Sequence, residues 1–200
     1  SVAGFGERHM DSLGKAMGGE GKYVVFVGSL TVPLHNAWAD AAIAHQKKQW
    51  PKMQLVSERF GVAESLDDSY RSAQDLMRAH PDLKGFLAFG SQGPIGAGRA
   101  VADARKAERI AVVGSFSPGQ GAKLVRDGVI REGFIWNPAL AGEVIVHVGK
   151  MLIDGREPTD GMEIPGLGKV QVDRERRNIQ GQRLEPINRQ TIDRLVGLGL

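Results

Sequence analysis

The chain has 200 residues, no cysteine and a net charge of +3 at neutral pH. That length suits one domain or one and a half, with enough chain to bury a real core, and the lack of thiols excludes disulfides, thiolate metal sites and a cysteine nucleophile. The positive charge gathers late in the chain, where Arg174, Arg176, Arg177, Arg183, Arg189 and Arg194 are interleaved with Asp173, Glu175, Glu185 and Asp193. Mixed signs predict a solvated surface and no nucleic-acid partner, because a phosphate-tracking patch carries one sign. No apolar run approaches the roughly 20 residues that span a bilayer. The opening Ser1–Phe5 lacks the basic-then-apolar pattern of a signal peptide, so the chain reads as cytosolic or as a processed or truncated piece of an exported protein.

Short apolar runs alternate with amphipathic stretches. A helix is expected over 5–17, ahead of the first strand. Tyr23–Val27 is a β-favouring run ended by Gly28-Ser29. Helical spacing follows from Asn36 to Gln49 and stops at Trp50-Pro51, since the residue before proline avoids the helical region. Gln54–Phe60 reads as a second strand, with its core placed at Leu55–Phe60. Ser65–Ala79 is a second amphipathic helix, broken by His80-Pro81-Asp82. Gly85–Phe89 is a third strand, then a small-residue helix from Ile95 to about Lys106. Ile110–Gly114 is a fourth strand, Gln120–Arg126 a helix closed by Asp127-Gly128, and Phe134–Trp136 a fifth strand. A long helix is expected from Pro138 to Ile153, with proline in its first turn. Beyond it, Lys169–Val172 reads as one more strand and Thr191–Val196 as a last helical turn. Strands alternating with helices predict an α/β fold, a doubly wound parallel sheet with helices on both faces.

In such a sheet, ligands bind beyond the carboxyl ends of the strands. Here those ends read Gly28–Thr31, Phe89–Gln92, Gly114–Ser117 and Trp136-Asn137, all small, hydroxylic, amide or aromatic residues. Carboxylates, histidines and lysines are missing from them, so no catalytic acid–base pair is expected and the chain reads as a non-enzyme. Such a lining suits a neutral polyol, stacked on aromatic faces and held by hydroxyls and amides. Glu64, Asp67 and Asp68 read as helix-start charges. Gly96-Ala97-Gly98 lies inside a helix and lacks the third small residue of a dinucleotide fingerprint, so no nucleotide cofactor is expected. The five histidines show no metal spacing. Of them, His35 follows the first strand end closely enough to face a cleft.

Gly28-Ser29, Asn36-Ala37-Trp38, Trp50–Met53, Ala79–Gly85, Val113–Pro118 and Trp136-Asn137-Pro138, in that order, resemble the sugar-type periplasmic binding proteins of ABC transporters, near the rhamnose-binding and autoinducer-2-binding branch. The resemblance implies a type I periplasmic-binding-protein-like lobe. Family members are longer, with two lobes clamping a sugar and a membrane permease as partner. It further implies that 1–137 is the C-terminal ligand-binding lobe, that 138–165 crosses to the N-terminal lobe, that 166–200 holds a returning strand and tail, and that the protein works in the periplasm after loss of its signal peptide. Carried over by position, the ligand-facing residues are Leu34, His35, Phe89, Ser91, Ser115 and Asn137. The autoinducer-2 branch tends to have an acidic residue and an amide at the positions of Leu34 and His35, and a proline at that of Phe89. Another sugar or polyol is therefore expected. With its usual partner sheet absent, the helix face Leu140, Val144, Val148, Leu152 is expected to be bare and to favour self-association. The same fold also serves as the sugar-sensing effector domain of transcriptional repressors, the alternative reading.

Overall fold

The computed structural model describes residues 1–181 and 184–200; Arg183 of the arginine-rich tail lies outside them. Two compact units are present. One holds Val2–Ile135 with Pro186–Leu200, the other Trp136–Glu185 with Ser1.

The larger unit contains α1 (Val2–Ala16), β1 (Glu20–Val27), α2 (Pro33–Gln49), β2 (Lys52–Leu55), α3 (Leu66–Ala79), β3 (Leu83–Phe89), α4 (Gly93–Asp103), β4 (Ala111–Ser115), α5 (Pro118–Arg126), β5 (Ile130–Ile135), β10 (Glu185–Ile187) and α7 (Ile192–Gly197). Its six-stranded sheet runs β10-β5-β4-β3-β1-β2. β1 is parallel to β2 and β3, β3 to β4, and β4 to β5, with Val25 opposite Leu87 and Leu87 opposite Val113. The period-two alternation of the strands decides which helix covers which face. Val24, Phe26, Phe86, Ala88 and Val112 share one buried core with residues of α3, α4, α5 and α7. Each large apolar side chain removed from water there contributes about 1.5–3 kcal/mol. The intervening Tyr23, Leu87 and Phe89 face α1 and α2, where the Tyr23 hydroxyl donates to Gln46 Oε1 at 3.1 Å and Phe89 meets Phe5, His9 and Trp38.

Several expected boundaries shift, for identifiable reasons. The second strand is Lys52–Leu55 and not Gln54–Phe60. The chain leaves the sheet at the polar Ser57-Glu58-Arg59 and touches it again through a single parallel bridge from Phe60 to Phe26. β5 starts four residues before Phe134, because the polar Arg131 and Glu132 belong to it. Glu132 is satisfied by Ser12 Oγ at 2.6 Å and Asn188 Nδ2 at 3.2 Å. α2, α4 and α5 begin earlier than Asn36, Ile95 and Gln120, each with proline in its first turn, where its fixed φ suits a helix and its missing N–H costs nothing.

Gly96 explains the glycine run inside α4. A Cβ there would lie 2.6 Å from both Leu66 O and Ser69 Cβ, so the glycine lets α4 approach α3 and has no part in a nucleotide cradle.

The smaller unit carries α6 (Pro138–Ile153) and two antiparallel hairpins, β6 (Glu163–Ile164) with β7 (Gly168–Lys169), and β8 (Gln171–Asp173) with β9 (Asn178–Gln180). The strand expected at Lys169–Val172 is thus divided between two hairpins. Leu140, Val144 and Val148 are half-buried, the first two lying over the Gly166 turn. The bare side of α6 is instead Ile145, Val146, Leu152 and Ile153, exposed by 71%, 73%, 54% and 87%.

His9 on α1 is wholly buried, packed edge-on to Phe89 and Phe134 at 5.3 and 5.0 Å. Its Nδ1 lies 2.8 Å from Phe5 O, and Nε2 has no hydrogen-bond partner of good geometry among the described residues. Burial lowers its pKa to about 4, against the smaller opposing pull of the Phe5 and Gly114 backbone.

Two predictions follow from this packing. Gly96→Val should reduce the free energy of unfolding in urea by about 1–3 kcal/mol or more, as overpacking against backbone does; an unchanged midpoint would refute the close-approach argument. For His9, the unfolded chain titrates near 6.5 and the folded one near 4. Between those values the unfolded state holds the extra proton. The contribution is therefore complete above about pH 6.5 and is lost as pH falls to about 4, a loss of about 3 kcal/mol. Urea unfolding of wild type and His9→Leu across that window should show a shallower pH slope in the variant; parallel slopes would rule out His9 as the source.

Candidate ligand-binding site

The strand order sets the location. α2 leaves β1 toward one face of the sheet and α4 leaves β3 toward the other, although β1 and β3 are neighbours. A crevice opens at the carboxyl ends of strands whose connections diverge in this way. The loop after β2 closes its side. Ala63 N–H donates to Val27 O at 2.8 Å, and Ala63 O accepts from Gln92 N and Gly93 N at 2.9 Å each. One residue thereby ties together the ends of β1 and β3.

On this frame the loop after β1 is pinned by Asn36. Its amide Nδ2 donates to the carbonyls of Ser29, Leu30 and Val32 at 3.0, 3.2 and 2.7 Å. Arg59 Nη1 in turn donates to Asn36 O and Oδ1 at 3.1 Å each, and Arg59 also pairs with Asp40. Inside the mouth, Gly28 N–H donates to His35 Nδ1 at 3.2 Å. The His35 ring stacks on Trp38 with centroids 5.3 Å apart and planes 19° apart. Glu64 Oε1 lies 3.9 Å from His35 Nδ1, and Ser91 Oγ donates to Glu64 Oε2 at 3.3 Å. A Cβ at position 28 would lie 2.6 Å from His35 Nδ1 and 2.9 Å from Glu64 Cγ, so any other residue there would have to displace these side chains. Gln92 Nε2 reaches Gln120 Oε1 at 3.1 Å along the rim toward β4.

The periplasmic binding protein domain family matches residues 2–157. The chain belongs to that family. A D-apiose import binding protein of Paraburkholderia graminis is 32% identical over 122 residues, which cover 58% of this chain and 35% of that protein. Among solved structures, a sugar ABC transporter protein of Actinomyces odontolyticus superposes with a TM-score of 0.85 at 20% identity, covering 97% of this chain and 63% of its own. A solute-binding protein of Clostridium phytofermentas with bound L-rhamnose gives 0.83 at 18% identity, covering 99% and 66%. At such identities the structures establish the fold alone. This periplasmic binding protein domain spans about a third of the curated relative's length and under two thirds of the Actinomyces structure.

Within the periplasmic binding protein domain, the residues carried over by position fall in different places. His35 and Ser91 meet through Glu64, as described. Leu34 is exposed by 45% at the start of α2. Ser115 Oγ donates to Phe134 O at 3.0 Å and joins the ends of β4 and β5. Phe89 is completely buried under Trp38, Phe5 and His9. It supports the floor from below and presents no free ring face, because its position in β3 turns it toward α1 and α2. Asn137 lies in the smaller unit and caps α6, accepting from Ala139 N and Leu140 N at 2.9 and 3.3 Å. The four strand ends carry no carboxylate of their own, but the loop after β2 brings Glu64 beside two of them. Glu64 was hidden by its place one residue before the N-cap Ser65, where acidic residues are common for local reasons.

Proposed function

We propose that this chain supplies one ligand-binding lobe of the solute-binding component of an ABC importer, taking a small neutral sugar or polyol at the carboxyl ends of β1, β3 and β4. The observation that carries the reading is the point where neighbouring β1 and β3 send their helices to opposite faces, with Gly28, His35, Glu64 and Ser91 in contact there, in a chain of the periplasmic binding protein domain family. The Paraburkholderia relative's role in D-apiose import supports transport over repressor control. On this reading residues 1–137 are the ligand-binding lobe, 138–165 cross to a second lobe and 166–200 return. The protein works in the periplasm with a membrane permease as partner, and it is a binding module that performs no chemistry. Leu34 and Ser115 extend the sugar-facing set.

A lone lobe leaves one side of a bound sugar in water and forfeits the contacts a second lobe would add, so its hydrogen bonds form in a wetter, weaker site. Titration calorimetry with D-apiose, L-rhamnose and D-arabinose should give dissociation constants in the millimolar range, worth about 4 kcal/mol. Micromolar affinity in a monomer would mean that the site is complete and the one-lobe reading wrong.

The exposed apolar side of α6 is the surface we assign to self-association, a second copy supplying the cover for Ile145, Val146, Leu152 and Ile153. Sedimentation velocity should show concentration-dependent dimers that Val146→Glu with Ile153→Lys abolishes. A monomer at all concentrations, or dimers indifferent to both changes, would refute it.

A further inference from the structure

We propose that Glu64 is a specificity-determining residue of this crevice, which takes neighbouring hydroxyls of the ligand and turns away sugar acids. The inference rests on the binding role proposed above for the same loops. Three observations carry it.

First, Glu64 is held in place by the backbone on either side of it. It follows Ala63, whose N–H and C=O are both committed to the ends of β1 and β3, and precedes Ser65, whose hydroxyl caps α3 by accepting from Asp68 N at 3.2 Å. Its position is therefore fixed while its side chain is left 53% exposed at the mouth.

Second, the carboxylate has unspent accepting capacity. An ionised carboxylate offers about four lone-pair sites, and Ser91 Oγ occupies one of them. Among the described residues its ion-pair contact is with His35, at 3.9 Å, too long for a hydrogen bond. Moreover, Gly28 N–H donates to His35 Nδ1, which makes Nδ1 an acceptor and puts the ring proton on Nε2. Two acceptors, His35 Nδ1 and Glu64 Oε1, thus lie 3.9 Å apart. A polyol hydroxyl is a donor from which Glu64 Oε1 can accept.

Third, the geometry favours a pair of donors. The two carboxylate oxygens can each accept from one of two adjacent hydroxyls, while the Ser91 hydroxyl and Gln92 amide stand beside them to meet the ligand's oxygens. A ligand carboxylate or phosphate brings negative charge and no donor to the same place, and like charges at this range repel.

The test compares wild type, Glu64→Gln and Glu64→Ala by amide NMR titration of the full chain with D-arabinose and its oxidised anion D-arabinonate, reading the Gly28, Ser91 and Gln92 signals. Equal unfolding midpoints confirm that the exposed substitutions leave the fold intact. Wild type should respond to D-arabinose and bind D-arabinonate at least about tenfold more weakly. Glu64→Gln, which keeps the shape but removes the charge, should lose about tenfold for the neutral sugar, the size of a charge-assisted hydrogen bond. It should also bring the two ligands to within about threefold of each other, and Glu64→Ala should weaken D-arabinose at least as much. Sugar-induced shifts at these amides that are unchanged by both variants would overturn the role of Glu64 while leaving the binding site standing. Shifts that appear with neither ligand in any of the three proteins would overturn both.

Discussion

The backbone of Ala63 donates to the last residue of β1 and accepts from the first turn of α4 beyond β3, all within 2.9 Å. A parallel sheet gives its strand ends no hydrogen bonds to one another once the ladder stops, and their connections leave in opposite directions at this point. Without a third segment the two lips of the crevice would be free to separate. The loop after β2 supplies that segment. It can do so because the chain returns to the sheet at Phe60, which bridges to Phe26 before running on to Ala63. The positions of Glu64, of Ser91 and of the close glycine at 28 all follow from this stitch.

A second layer of support lies beneath. Trp38 stacks on His35 above and touches Phe5 and Phe89 below, with ring centroids at 4.3 and 6.1 Å. His9 continues the cluster from Phe89 to Phe134. These are aromatic contacts of ordinary strength, about 0.5–1.5 kcal/mol each beyond the area they bury, but they connect α1, α2, β3 and β5 in one dry cluster. α1, the element ahead of the first strand, is thus an integral wall of the lobe, and Ser12 on it reaches Glu132 of β5.

The strands β1, β3 and β4 were legible because both faces of a central parallel strand are buried, so each appears as an unbroken apolar run. β2 and the first half of β5 were not. They lie farther from the centre, and β5 carries Arg131 and Glu132, whose partners come from Ser12, Asn188 and Ala107. No local pattern announces partners that distant in sequence. α6 was legible to the residue through the proline in its first turn, but neither its asparagine cap nor its bare side was. Periodicity identifies an apolar stripe, whereas the turn at Gly166 decides which part of that stripe is covered. At the site, His35 and Ser91 could be placed by counting from strand ends. Phe89 could be counted too, yet its direction depends on strand parity. Glu64 required tertiary knowledge of another kind, since in sequence it is one of several acids at a helix start. Only the fold shows that it is the one turned toward His35 while Asp67 and Asp68 belong to the turn of α3.

The chemistry of the mouth also limits what the lobe can do alone. Its polar atoms come from one side, and the Glu64 side chain remains more than half exposed. A charge-assisted hydrogen bond to a half-exposed carboxylate competes with water for the same lone pairs, so it discriminates between ligands more than it holds them. Excluding that water is what makes such a bond strong. On the reading proposed above, a ligand hydroxyl and a ligand carboxylate brought to the same place therefore differ at Glu64 even where overall affinity is low. On that reading affinity depends on what covers the site, whereas selectivity rests on the three loops that Ala63 joins.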